Sequence, residues 1–340
     1  MNGKRSSSFP KAWYPLALSS SLKRGGVLSQ IAFGVPLVLY RSKAGNVGVM
    51  SSTCIHMGAD LSRGKVSGER LQCPMHGWEF NANGKCEHIP LASEIPERAQ
   101  QVALCVEEKN GIIFGYLGGQ PTTPLPDFPA EAHPQTSRIT VMDFDTPYQV
   151  LASNSYDAQH FSTVHHRPLV GTPKVFVNSP NHYGVSFRAS VGGDGYNDRL
   201  LRAIGVHEVE LLADCYGGNI IVATSDRTST YIMFATLPVT ETSSRIFVLN
   251  AITKKRAEKI PTIIRPLIME ITHRLTLAFL HHDIKVVSDL QFKFGILLPE
   301  VDEGFMGWMR YWNSLPTATL FDSTLQVDSP PNMAGVHAAD

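Results

Sequence analysis

The sequence predicts an α+β chain in two parts, a small all-β domain followed by a larger mixed one. Three observations carry this. The first third reads as short strands punctuated by Gly and Pro, the second part as a short helix followed by four strands, and residues 263–292 as one long helix. A chain of 340 residues also exceeds the size at which a single core usually stops growing, which points to two domains.

The elements follow in order. Residues 1–8 are basic and Ser-rich but lead into no apolar stretch, so they read as a mobile tail rather than a secretion signal. Strands are expected at 35–40 and 47–50, with a turn at 43–46 between them. Two more are expected at 101–106 and 111–116. Residues 118–129 then hold four prolines and the pair Gly118-Gly119, which marks a linker. The expected partition is a β domain over 10–120, a linker over 121–136, a mixed domain over 137–325 and a loose tail over 326–340. In the mixed domain a short helix is expected over 153–166, stopped by Pro168. Strands follow at 183–191, 219–224, 230–236 and 245–252. The long helix has an apolar stripe of Ile264, Ile268, Ile271, Leu275, Phe279, Val286 and Leu290, stepping by threes and fours with one gap of seven.

Composition excludes several classes. Lys and Arg number 30 and so do Asp and Glu, which leaves no overall basic field for nucleic acid or anionic lipid. Hydrophobic residues make up 43%, too many for a largely disordered chain. No run of 18 apolar residues occurs, so no transmembrane helix is expected. Five cysteines, an odd and sparse set without a signal peptide, fit reduced thiols and a cytoplasmic location.

Two clusters of residues carry chemistry. In the first, Cys54-Ile55-His56 is followed after sixteen residues by Cys73-Pro74-Met75-His76. Each half offers one thiolate and one imidazole from a tight loop. A structural zinc site usually groups its cysteines together and its histidines together. Here the two types alternate, which suits two irons bridged by sulfide, both Cys on one iron and both His on the other. Two neutral imidazoles in place of thiolates raise the potential of such a [2Fe–2S] cluster. Gly58, Gly64 and Gly77 permit the tight turns that bring amides to the sulfurs. A zinc ribbon is the competing reading. Cys86, Cys105 and Cys215 read as packed residues.

The second cluster is the run from Asn154 through Asp157, His160 and His165 to His166. Asp157 and His160 are three apart and share a helix face. His160 and His165 are five apart, about 140° around an ideal helix and too far for one metal. The helix must widen or end near His165, and His166 competes for the role. On the long helix, Asp283 fills the gap in the apolar stripe, where a carboxylate must be neutralised, paired or metal-bound. His281 and His282 are alternative partners for it. Two His and one carboxylate on one side of an iron form the facial triad of non-haem Fe(II) oxygenases, with positions open for O₂.

These motifs together resemble a known family. Cys54-x-His56 with Cys73-x-x-His76-Gly77-Trp78 looks like the Rieske signature, and residues 73–86 are similar to Rieske domains of ring-hydroxylating oxygenases. Asn154-x-x-Asp157-x-x-His160-x4-His165 resembles the iron-binding segment of Rieske non-haem iron oxygenases. The stretch Asp283-Ile284-Lys285-Val286-Val287 is similar to the one carrying their carboxylate ligand. The resemblance spans residues 13–312. It departs at His282, where family members often have an acidic residue.

The resemblance implies an N-terminal all-β Rieske domain followed by a catalytic domain with an antiparallel sheet flanked by helices. It implies a [2Fe–2S] cluster on Cys54, His56, Cys73 and His76, and a mononuclear Fe(II) on His160, His165 and Asp283, with O₂ as co-substrate. It implies a homotrimer in which His76 of one chain bonds Asp157 of the next, and Asp157 bonds His160. Asn154 is either a substrate-positioning residue or a helix N-cap. The sequence has no G-x-G-x-x-G fingerprint, so electrons must come from a separate NAD(P)H reductase, directly or through a ferredoxin. The implied activity is hydroxylation or oxidative demethylation of a bulky apolar ring substrate, such as a steroid, an aromatic compound or a natural-product scaffold. The branch includes O-demethylases and steroid hydroxylases, and Met57-Gly58 after His56 is closer to the steroid type. A cis-dihydroxylating dioxygenase and a Rieske electron carrier without catalytic iron are the alternatives. Residues 231–237 and 275–280 suit either an apolar pocket or ordinary core.

Overall fold

A computed structural model of the chain describes residues 8–126, 137–225, 230–252, 257–288, 290, 292–293 and 295–323. The expected tails at 1–7 and 326–340 and the linker beyond residue 126 lie outside the described residues.

The first unit is built of β1 (Phe9–Pro10), β2 (Trp13–Leu18), β3 (Val27–Ala32), β4 (Val35–Arg41), β5 (Val47–Ser51), β6 (Lys65–Ser67), β7 (Arg70–Gln72), β8 (Glu79–Phe80), β9 (Cys86–His88), β10 (Ala103–Lys109) and β11 (Ile112–Tyr116). Six of these form one antiparallel sheet in the order β2-β11-β10-β5-β4-β3. The short strands β6-β7-β8-β9 form a second sheet that carries the cysteine–histidine loops. These short strands were not anticipated, because two or three residues cannot show a period.

The second unit is a seven-stranded antiparallel sheet in the order β12-β18-β17-β16-β15-β14-β13. Its strands are β12 (Ser137–Phe144), β13 (Lys174–Ser179), β14 (His182–Ser190), β15 (Glu208–Tyr216), β16 (Ile220–Ser225), β17 (Thr230–Pro238) and β18 (Ser244–Ile252). The helices are α1 (Tyr148–Ser153), α2 (Ala158–Thr163), α3 (Tyr196–Ala203), α4 (Arg265–Val287) and α5 (Pro299–Ser314). Both faces of this sheet are covered. Tyr231, Met233, Ala235, Phe247 and Leu249 pack against Trp13, Ile112, Phe114 and Tyr116 of the first unit. The alternate residues Ile246 and Val248 pack with Val287 of α4. Strand alternation thus divides residues 231–237 between core and pocket, where the sequence left the two readings open.

Two helix expectations are corrected. The segment 153–166 is not one helix. It breaks at Asp157, whose extended backbone (φ −83°, ψ 97°) separates a single 3₁₀ turn over Asn154–Tyr156 from α2. The long helix ends at Val287 rather than 292, so Leu290 falls beyond it and is exposed. Its buried stripe is also rotated. Met269, His273, Asp283 and Val287 are buried, while Ile264, Ile271 and Val286 of the expected stripe are exposed. His273 sits on the inward face because Thr140 and Asn250 bond its ring there, which a hydrophobicity count cannot see.

The described part of the linker is tied down. The indole N–H of Trp13 donates to the Thr123 carbonyl at 2.9 Å, Tyr116 and Thr122 share a hydrogen bond of 2.8 Å, and Leu125 is buried. A two-stranded ladder pairs β1 with β19 (Thr317–Ala318), joining the first described strand to the last.

Candidate metal centres

The two cysteine–histidine loops share one backbone plan. The Cys54 amide donates to the Ala59 carbonyl at 2.9 Å, and the Cys73 amide to the Trp78 carbonyl at 2.7 Å. In each loop a glycine four residues on returns the bond, Gly58 to Cys54 at 2.8 Å and Gly77 to Cys73 at 3.2 Å. Both glycines have positive φ, 77° and 72°, a conformation that costs any other L-residue about 1–2 kcal/mol. At Gly77 a Cβ would also meet Pro90 at 3.0 Å. The plan places Cys54 and Cys73 in the core, while His56 and His76 lie at the surface with ring centroids 4.7 Å apart. His56 stacks on Trp78 at 4.3 Å.

A buried residue secures the first loop. Gln101 Nε2 donates to the carbonyls of Ser51 (2.9 Å) and Thr53 (2.6 Å), and its Oε1 accepts from the Ile55 amide at 2.9 Å. Sequence reasoning missed it, since a glutamine beside a strand carries no signal of burial. All five cysteines are free thiols. Burial pushes the Cys54 thiol up to about 11, against hydrogen bonds from backbone amides of its own loop. Two thiolates side by side therefore need a cation between them, and this donor set fits an iron–sulfur cluster.

The second centre assembles where α2 ends. Asp157 caps α2, its Oδ1 accepting from the amides of Gln159 (3.0 Å) and His160 (3.4 Å). The cap role considered for Asn154 thus belongs to Asp157. His160 Nδ1 bonds the Asp157 carbonyl oxygen, whereas the Asp157 carboxylate Oδ2 lies 4.0 Å from that nitrogen. The link between the two residues runs through the backbone, and the carboxylate remains partly exposed. Val164 closes α2, and His166 turns the chain with φ 53°. The early stop resolves the five-residue spacing: His165 leaves the helix and is buried, while the competing His166 is exposed.

His160, His165 and Asp283 bring their ligand atoms within 4.8 Å of one another. Asp283 Oδ1 is 2.9 Å from His165 Nε2 and 3.6 Å from His160 Nε2. Yet Asp283 Oδ1 and both ring nitrogens of His165 are buried without a hydrogen-bond partner. Orphaned buried polar atoms are rare and costly, and lone pairs that converge without bonding each other fit a cation. Burial holds the His160 imidazole below its usual value, which keeps it neutral and available as a ligand. The His165 ring stacks on Phe279 at 3.7 Å and 11°, and the Arg167 guanidinium lies 4.9 Å over the far partner, Phe279. Arg167 is held in turn by buried Asp198.

The three residues line a cavity of about 410 Å³ between the sheet and α4. Its walls are mostly apolar, with Phe187, Ile232, Phe234, Ile246, Leu275 and Leu280 among them, and Asn154 is also in the wall. The cavity falls in the size range of small-molecule sites. Outside the cavity, a glycine on α5 lets that helix approach the turn before α2, since a Cβ at Gly304 would meet the Tyr156 carbonyl at 2.8 Å.

Residues 12–102 match the family model of the Rieske [2Fe-2S] domain. The chain carries a Rieske domain. Its cofactor is therefore a [2Fe–2S] cluster, and the zinc-ribbon reading falls. The chain is 30% identical over 181 residues to a 3-ketosteroid-9-alpha-monooxygenase, oxygenase component, of Rhodococcus rhodochrous, which covers 51% of this chain and 46% of that one. It is 32% identical over 166 residues to cholesterol 7-desaturase nvd 1 of Ciona intestinalis, covering 46% of this chain and 35% of that one. The matches thus span less than half the length of either relative. The crystal structure of dicamba monooxygenase with non-heme iron and dicamba superposes with a TM-score of 0.63 at 21% identity, over 89% of this chain and 96% of that one. At that identity the likeness establishes a shared fold. Among the described residues no helix is long and apolar enough to cross a membrane.

Proposed function

We propose that the chain is the oxygenase component of a Rieske-type monooxygenase, acting on a bulky apolar ring substrate by hydroxylation or oxidative demethylation. The observation that carries this reading is the convergence of His160, His165 and Asp283, with unpartnered buried ligand atoms, in the wall of an apolar cavity. The oxygenase relatives and the Rieske domain support it.

The cluster supplies single electrons, and an iron on the triad supplies O₂ activation. Cys54, Cys73, His56 and His76 hold the cluster. His56 and His76 face outward, where an electron donor reaches them. The reading takes that donor to be an NAD(P)H reductase, with or without a ferredoxin, and places the chain in the cytoplasm as a homotrimer. His76 of one subunit then meets the exposed side of Asp157 in the next. Asp157 fixes the His160 ring through its carbonyl, so that Nε2 points at Asp283. Phe279 fixes His165 by stacking. The apolar walls exclude water from the bound substrate, and Asn154 offers a polar contact in the wall. The Rieske part is assigned to residues 10–120 and the catalytic part to 137–325, with a linker at 121–136.

Iron and sulfide counting with EPR of the dithionite-reduced protein tests this. About three irons and two sulfides per chain, with a Rieske signal, are expected. His160→Ala should lose one iron and all turnover while keeping the signal. Turnover that survives in this variant sinks the assignment. Product analysis under ¹⁸O₂ separates one incorporated atom from the two of a dihydroxylating dioxygenase.

A further inference from the structure

Away from the triad, the cavity wall holds a polar chain that the chemistry above does not use. His273 lies on the buried stripe of α4, and Asn250 of β18 is fully buried opposite it. His273 Nε2 is 2.7 Å from the Thr140 hydroxyl, and His273 Nδ1 is 2.7 Å from Asn250 Oδ1. Asn250 Nδ2 donates to Thr276 Oγ1 at 2.8 Å. Thr276 is the member of this chain that reaches the cavity wall.

The direction of the chain follows from what each atom can do. An amide oxygen only accepts, so His273 Nδ1 carries the proton. Burial keeps this imidazole neutral, so Nε2 accepts from Thr140. Asn250 then donates to Thr276, and the Thr276 proton is the output. It rests on the Thr272 carbonyl at 3.2 Å, a long bond within the same helix. Bonds aligned in one direction polarise one another, and the last hydroxyl is a ready donor to a ligand.

We infer that Thr276, oriented by Thr140, His273 and Asn250, is a specificity-determining residue that donates a hydrogen bond to a neutral acceptor oxygen of the substrate. The inference rests on the reading of the cavity as the substrate site. Two features narrow the ligand. Thr276 stands seven residues before Asp283 on α4, about 10 Å along the helix. The acceptor oxygen and the carbon presented to the triad are separated by a similar span, which a fused polycycle bridges and a single ring does not. A carboxylate does not suit the site. Among the described residues of the cavity wall, the Arg or Lys cation is Arg167, and it is already bound to Asp198.

The test is equilibrium binding of a matched pair of neutral probes to the cluster-loaded, iron-loaded protein: 5α-androstan-3-one and its parent hydrocarbon, 5α-androstane. The wild-type protein should prefer the ketone roughly 3- to 10-fold. Thr276→Val should bring the two affinities within about twofold while leaving the hydrocarbon affinity unchanged, and Thr276→Ser should restore the preference. Thr276→Ala provides the same deletion with a strong helix former should the valine variant fold poorly. A ketone preference that persists in Thr276→Val and Thr276→Ala overturns the inference and leaves the oxygenase reading intact. Failure of both probes to bind the wild-type protein overturns the inference together with the reading of the cavity.

Discussion

The two candidate centres are built on opposite plans. At the first, the Cys–His pairs sit in loops within a few residues of each other, and backbone bonds hold the loops. Its imidazoles are open to solvent. At the second, the ligand atoms come from segments more than a hundred residues apart, all three side chains are at most 10% exposed, and ring stacking and cavity walls hold them. The contrast suits the proposed roles. A centre that takes electrons from outside has its port at the surface. Oxygen chemistry on an apolar molecule, as proposed for the second, needs shelter from water. The source of rigidity differs too, and so the two centres should fail separately.

The largest effect is expected where the proposed plan joins them. Asp157→Asn keeps a good N-cap for α2 and the carbonyl bond to His160, so both metals should load normally. Single-turnover oxidation of the cluster should slow roughly 100-fold, because the charged link is gone. An unchanged rate would show that the two centres communicate without it. Phe279→Ala should separate the centres in the other way. It removes the stack on His165 and the platform beneath Arg167, at a cost of about 3 kcal/mol in denaturant titration. Iron at the second centre should fall while the Rieske EPR signal holds. Loss of both signals together would mean that the centres share one source of rigidity.

The smallest effect concerns pH. Burial lowers the pKa of His273 below its ordinary 6.5; nearby Glu270 opposes this and Arg138 adds to it, while Thr140 and Asn250 bond the ring. The unfolded chain therefore takes up the proton first. The associated stability is complete above pH 6.5 and is lost as pH falls toward the folded-state value. The melting temperature should drop by a few degrees more in wild type than in His273→Gln between pH 7 and about pH 5. Parallel pH profiles would assign the acid sensitivity elsewhere.

The same contrast explains what could be read from the sequence. The first centre was legible because its chemistry is local: two short motifs, each closed by a glycine. The second was legible in parts. His160 and His165 stood close together, but an ideal helix kept them apart, and only the stop at Val164 and the turn at His166 reunite them. Asp283 was found through a gap in a stripe whose phase was itself off by a rotation, since His273 and Asp283 occupy the buried face that apolar counting assigns to isoleucines. Strands β12, β13 and β15 passed unnoticed because their alternation is weak. Gln101, Phe279 in its stacking role and the chain from Thr140 to Thr276 are products of tertiary packing, and no spacing rule announces them.

The ladder between β1 and β19 has a consequence for how the molecule is made. Phe9 packs on Phe33 and Tyr148, with ring centroids 5.5 and 6.0 Å away, in a core that also takes Ala318 and Leu320. The partner strand is synthesised about 300 residues later, which at ribosomal speed is roughly 15–60 s. Through that interval β1 has no edge to join and the nascent chain leaves these aromatic rings incompletely covered. Completion of this core therefore waits for residues 317–320, and a ribosome stalled before residue 317 should display a nascent chain that chaperones hold and proteases cut near Phe9.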